Sequence, residues 1–274
     1  MNKLPRASRA RALQLLCKGT SSLVTSRRTG LSMTAILRLL AISGHAAASY
    51  QDRVFRDLKS NKINITALWG FRDRNVPGAK KARGRPGNVW VWVAIDQRTK
   101  LVASWFLARH DTGSAHIIID DIVARLTKCV QLRSHRQRLS LEAVNGPLAA
   151  NLDYDLVAKI YGESCEPEES YGFALGIGGE KRPILINPPV KPISTAPAAV
   201  SSGMQTRLSL PKASTFEKRI ANHANALALH FLYYNFIRIH KVLRTTPAVA
   251  AGITSRRWKI TDIVGVLEAW EAAG

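Results

Sequence analysis

Residues 62–71 read KINITALWGF, and the fold turns on what this stretch is. It has a β-strand pattern that ends in a tryptophan and a turn. A Gly/Pro-rich loop follows over 74–88, carrying Lys80, Lys81, Arg83 and Arg85. Two runs rich in β-formers come next, VWVWVAID (89–96) and LVASWFLA (101–108). Only Gln97–Lys100 separates them, so they read as an antiparallel hairpin. Ser114 is placed to cap a helix from Ala115 to Val130, with Ile118, Ile119, Ile122, Val123 and Leu126 on its buried side. Residues 130–132 read as a short fourth strand, followed by a helix around Leu139–Val144. The stretch from about 163 to 215 is poor in pattern and reads as loop or disorder. Its GIGG carries no phosphate-loop reading, because no Gly-Lys-Ser/Thr follows. Order returns at Phe216 with a long helix striped by Ile220, Ala224, Leu227, Phe231 and Tyr234, backed by Leu229, Leu232 and Phe236. Thr261 is placed to cap a last helix. The fold class is α/β, a mixed sheet with flanking helices.

Upstream of KINITALWGF the pattern is helical. Arg11–Lys18 is apolar at Leu13, Leu15, Leu16 and Cys17, with Gly19 as its stop. A second helix covers Ser21–Thr29 and closes on Gly30; a third starts after the capping Ser32 and runs from Met33 to about Ile42. SSLVTSRRTGLSMTAILRLL fits a helix-turn-helix. Small Ser26 permits close approach, Gly30 makes the turn, Leu31 plugs it, and Ile36 packs back. On that reading Thr34 and Arg38 face base edges, Lys18, Arg27 and Arg28 meet phosphates, and the cap Ser32 belongs to the same DNA-binding set. The alternative is an ordinary three-helix surface bundle.

Charge points the same way. The 274 residues hold 40 Lys+Arg against 19 Asp+Glu, a net +21, which favours polyanionic partners. No acid precedes Asp52, whereas Lys3, Arg6, Arg9, Arg11, Lys18, Arg27, Arg28 and Arg38 do. Cys17, Cys129 and Cys165 lack paired spacing, which argues against a disulfide framework or zinc site and for a reducing compartment. The basic N-terminus has no continuous apolar core, so no signal peptide is expected. No apolar run approaches the ~20 residues of a bilayer span.

CKGTSSLVTSRRTGLSMTAILRLL, LWGF, VWVWVAIDQRTKLVASW, LEAVNG, DYDLVAKIYG and NHANALALHFLYYNFIRIHKVLRTTPAVAAGI together resemble DDE transposases of bacterial insertion sequences, the IS-one-like group. The resemblance covers about 11–162 and 204–268. It implies a helix-turn-helix domain over 1–48, a ribonuclease-H-like core over 58–245 and a helical tail over 246–274. It also implies double-stranded DNA as partner, namely the terminal inverted repeats of an insertion element, with possible homo-oligomers. A cytoplasmic, nucleoid-associated location follows, with no membrane partner. Arg238 and His240, with Asn235, match the family at the helix end where DNA phosphate contact is expected; a structural role is equally open.

The chemistry implied is strand transfer with two Mg²⁺ ions ~3.5–4 Å apart, clamping attacking and leaving oxygens. Mg²⁺ is a hard ion that requires carboxylate oxygens. Similar proteins carry an Asp in V-D-E-x-W, an Asp in T-D-G and a Glu in Y-V-E-R. Here those positions hold Thr66, His135 and Val200 (within Val200–Gly203), so no catalytic residue is assigned and no Mg²⁺ or other cofactor is expected. Asp73, Asp96, Asp111, Asp121 and Glu217 are other acids in the domain, better read as turn, helix and cap residues. His223, His230 and His240 read as core or surface histidines rather than a metal cluster. Two sites also read as short frame-shifted stretches. Asp-Gly-His codons displaced by two bases encode Arg-Ser, as at Arg133–Ser134, and Val-Glu-Arg codons displaced by one give Ser-Ser-Gly, as at Ser201–Gly203.

Overall fold

The computed structural model describes residues 4–72, 88–109, 112–127, 130–135, 152–160, 178–184 and 220–273. It is a mixed α/β structure. Three helices come first: α1 (Arg6–Cys17), α2 (Ser22–Thr29) and α3 (Met33–Val54). The strands are β1 (Lys62–Arg72), β2 (Asn88–Asp96), β3 (Val102–Ala108), β4 (Val130–His135), β5 (Leu152–Ile160) and β6 (Gly178–Ile184), with α4 (Thr112–Val123) between β3 and β4. The last helices are α5 (Ile220–Phe236), α6 (Pro247–Ala250) and α7 (Ile260–Ala273).

The strands form one six-stranded sheet in the order β3-β2-β1-β4-β5-β6. KINITALWGF is β1 and lies in its interior. It pairs antiparallel with β2, Thr66 opposite Val93, and parallel with β4, Ile65 opposite Ser134. β2 and β3 make the expected hairpin, Val93 opposite Trp105. Its turn is held by Asp96, whose carboxylate accepts from Ser60 Oγ (3.0 Å), Arg98 N (3.1 Å) and Thr99 N (3.2 Å). β4 and β5 are parallel; β5 and β6 are antiparallel. β6 corrects the reading of 163–215 as loop throughout, since 178–184 is strand; the remainder of that segment lies outside the described residues, as does Leu139–Val144.

Strand alternation sorts the core into two faces. Ile63, Ile65, Trp92, Ala94 and Ala103 pack with Ile118, Ile119 and Ile122 of α4. Val91, Val93, Ile95 and Val102 turn the other way, with Leu68, onto Leu227, Phe231 and Tyr234 of α5. α5 is apolar all round because its far side is buried too: Leu229, Leu232 and Phe236 join the cluster that contains α1, α3 and α7. Ile220, expected in its stripe, is instead 47% exposed at the first turn. Asn235 closes the edge of the sheet. Its amide donates to Val102 O and accepts from Val102 N, both at 3.0 Å, standing in for the outer strand that β3 lacks among the described residues.

Helix boundaries differ from expectation in several places: α1 begins at Arg6 rather than Arg11, and α7 begins at Ile260, so Thr261 lies inside it rather than at its cap. α4 begins at Thr112, so Ser114 lies inside its first turn rather than at its cap, and it stops at Val123. Beyond it, Leu126 bridges to Leu58. α3 runs on past residue 48 to Val54. Gly44 lies where α3 meets α5. A Cβ there would stand 2.4 Å from Asn225 Cβ and 2.6 Å from its Cα, so the glycine permits α3 and α5 to lie in close contact. Gln51 of α3 then donates to the Ala228 carbonyl of α5 at 3.1 Å.

Candidate nucleic-acid interface

The turn between α2 and α3 is built by local hydrogen bonds. Ser21 caps α2, accepting from Val24 N at 3.3 Å. Gly30 ends it at φ 74, a left-handed conformation that favours glycine, and its N–H reaches Ser26 O at 2.9 Å. Ser26, read from sequence as merely small, also donates its hydroxyl to Leu31 O at 2.6 Å. Ser32 caps α3 by accepting from Ala35 N at 3.2 Å. Leu31 packs on the core and Ile36 is fully buried. Across this turn the chain changes direction by 118°.

The charged and polar side chains expected to face a ligand point outward. Lys18, Arg27, Arg28, Ser32, Thr34 and Arg38 are all exposed. Thr34 and Arg38 are four apart on one face of the first turns of α3. Arg27 and Arg28 occupy the last turn of α2 and form no ion pair among the described residues. The positive field of α1 is partly cancelled, which the acid-free N-terminus did not foretell. Arg9 is buried against Glu271 of α7 (3.2 Å), and Arg6 lies 3.5 Å from Glu268. The basic loop residues Lys80, Lys81, Arg83 and Arg85 fall outside the described residues. Arg238 and His240 sit just past α5 in a short turn, half-exposed, where His240 N donates to Thr245 O at 2.9 Å.

The positions where the resemblance places metal-binding carboxylates can be compared directly. Thr66 is buried in β1, and His135 ends β4. Ile65 pairs with Ser134, so Thr66 and His135 are the next residues along two neighbouring parallel strands, at one level of the sheet. Val200 lies outside the described residues, with Asp73, Asp111 and Glu217. The remaining acids are committed elsewhere. Asp96 holds its turn, and Asp121 takes Arg125 through both oxygens at 2.8 Å as well as the Ser104 hydroxyl. Arg125 also reaches Asp52 at 2.8 Å. Partial burial raises the Asp52 carboxyl, but hydrogen bonds from Arg56 and Arg125 outweigh it and hold the group below the usual range. Among the described residues no three His, Cys, Asp or Glu side chains gather as a metal site. His223 and His230 are core residues of α5, and His230 Nδ1 lies 3.3 Å from Cys17 O. Burial pushes the Cys17 thiol up to about 12, which leaves it protonated and unreactive.

Among the described residues no single helix is long and apolar enough to cross a membrane. Neither protein-family models nor curated proteins give a match to the chain.

Proposed function

We propose that this chain is a duplex-DNA-binding protein of the insertion-sequence transposase kind, with a ribonuclease-H-like core that has lost strand-transfer chemistry. The observation that carries the reading is the placement of Thr66 and His135. Two-metal phosphodiester chemistry needs its first carboxylates side by side, and adjacent parallel strands supply that spacing. The two positions named by resemblance alone fall on such neighbours at one level. The order β3-β2-β1-β4-β5, antiparallel then parallel, supports the same core, with β6 as an addition. For the binding half, the 118° turn matches the ~90–120° of a helix-turn-helix. The exposed Lys18, Arg27 and Arg28 supply phosphate contacts, and Thr34 with Arg38 stands at the end that meets base edges. Arg238 and His240 add a second phosphate contact. Thr66 offers Mg²⁺ only a weak neutral oxygen, and neutral imidazole suits softer metals, so binding survives without cleavage.

The test is duplex binding by the full chain, since an isolated N-terminal segment would expose the α3 face that packs on α5. Terminal-repeat duplexes of a related element should bind more tightly than random duplexes, and Arg27→Ala with Arg28→Ala should weaken both. Equal affinity for repeat and random DNA would remove the specific-recognition claim. Mg²⁺-dependent nicking by the purified protein would remove the claim of lost chemistry.

A further inference from the structure

A groove of about 670 Å³ runs between α3 and α7, within the ~300–1,000 Å³ of sites for small organic ligands. Three aromatic side chains line it: Tyr50 of α3, Trp258 just before α7, and Trp270 of α7. Tyr50 and Trp258 stand 5.2 Å apart, and Trp258 packs at 4.3 Å on the buried Phe236, so this wall is fixed to the core. Trp270 is different. It remains 40% exposed and is held nearly parallel to His45, at 16° and 6.5 Å. A flat apolar ring is thus presented at the rim.

The groove also carries cations. Arg6 and Arg256 have carboxylate partners in Glu268 and Asp262. Arg53 forms no ion pair among the described residues, and its guanidinium lies 5.7 Å from the centre of the Tyr50 ring. The floor is kept open by Gly265, in the interior of α7. A Cβ built there meets nothing within 4 Å, so no neighbour requires the glycine, although helix interiors disfavour it.

We propose that this groove binds a nucleotide unit, with the base stacked on Trp270 and the tyrosine wall and the phosphate on Arg53. An exposed ring in the same groove as a guanidinium that forms no ion pair among the described residues is the pairing that stacked bases and their backbone require. An acidic peptide would use Arg53 but has no need of flat rings. A base inside a duplex has no free face to offer, so this site is distinct from the duplex surface around Thr34. Both lie on α3, with Thr34 and Tyr50 separated along its axis by ~24 Å.

The test uses the full chain and a labelled oligothymidylate, followed by fluorescence anisotropy at about 0.2 M salt, where exposed charge is screened. Trp270→Ala and Gly265→Phe should each weaken binding by about 5- to 150-fold, the loss expected for one stacked base. Arg53→Gln should lower the salt slope by about 1. Duplex affinity should stay unchanged in all three variants, which also reports that they fold. A parallel titration with thymidine monophosphate separates the two sources of this chemistry. Binding of the mononucleotide with the same variant pattern assigns a free-nucleotide site; binding of the oligomer alone assigns a single strand. Either supports the proposal. Unchanged oligothymidylate affinity in Trp270→Ala and Gly265→Phe overturns it, as does a change of oligomeric state in Trp270→Ala without loss of nucleotide binding. Loss of duplex binding in the Arg27/Arg28 variant alone bears only on the duplex reading.

Discussion

The turn between α2 and α3 and the step between β1 and β4 are equally regular, but they differ in what they display. The turn has its two serine caps, its left-handed glycine and its outward cations. The strand step has its parallel register, and at the level where carboxylates are expected it has Thr66 and His135. Backbone pairing and apolar alternation, which hold β1 in place, are indifferent to the side chain at one position. Ligands for a metal contribute nothing to that pairing and often oppose it, because a buried carboxylate must be desolvated. On the proposed reading, a sheet can therefore keep its order after its chemistry is gone. A recognition surface is harder to lose unnoticed where its caps and turn also specify the local fold.

The heaviest loss is predicted for a carboxylate at Thr66. Thr66→Asp should destabilise the protein by about 3–5 kcal/mol at neutral pH, because the charge would be buried without a partner. Burial raises the folded-state pKa of such a carboxyl, so the folded protein binds the extra proton. Stability should then recover as pH falls toward the unfolded value near ~4. Urea titrations at two pH values, with and without Mg²⁺, measure it; full Mg²⁺ rescue would mean the remaining ligands exist.

Next in size is the salt response of duplex binding. With Lys18, Arg27 and Arg28 on phosphates, affinity should fall roughly 40-fold between about 50 and 200 mM salt. A flat response would place recognition elsewhere. Gly44→Ala follows, with an expected loss of about 1–3 kcal/mol, since the new methyl meets the Asn225 backbone. The smallest is Gly30→Ala, at about 1 kcal/mol in thermal unfolding. Nothing lies within 4 Å of that Cβ, so only the left-handed backbone resists it.

Much of this architecture is legible in the sequence, and the misses share a cause. The hairpin of β2 and β3 reads directly, because alternating β-formers flank a short turn. The turn reads equally well, since Gly30 and Ser32 act on neighbours a few residues away; Ser21, read as the first residue of the helix, is its cap instead. α3 beyond Ile42 does not. ISGHAAAS has weak hydrophobic period, and Gly44 looks like a stop until Asn225 is seen against it. β6 is hidden by Gly178, Gly179 and Pro183, residues that strands disfavour, and is specified by pairing with β5. The pairing of Arg9 with Glu271 spans 262 positions, beyond any local pattern. The groove at Trp270 was invisible for the same reason, as its walls come from opposite ends of the chain.

The length of α3 has one more consequence. A single unbroken helix carries Thr34 and Arg38 at one end and Gly44, Tyr50 and Gln51, pinned to α5 and its surroundings, at the other. With no swivel between them, the azimuth of the outer end is set by the inner one. One inserted residue between Arg38 and Gly44 would turn the outer face by about 100° and lift it ~1.5 Å. The helix acts as a keyed shaft, and its phase is fixed by the number of residues in this stretch, whatever their identity.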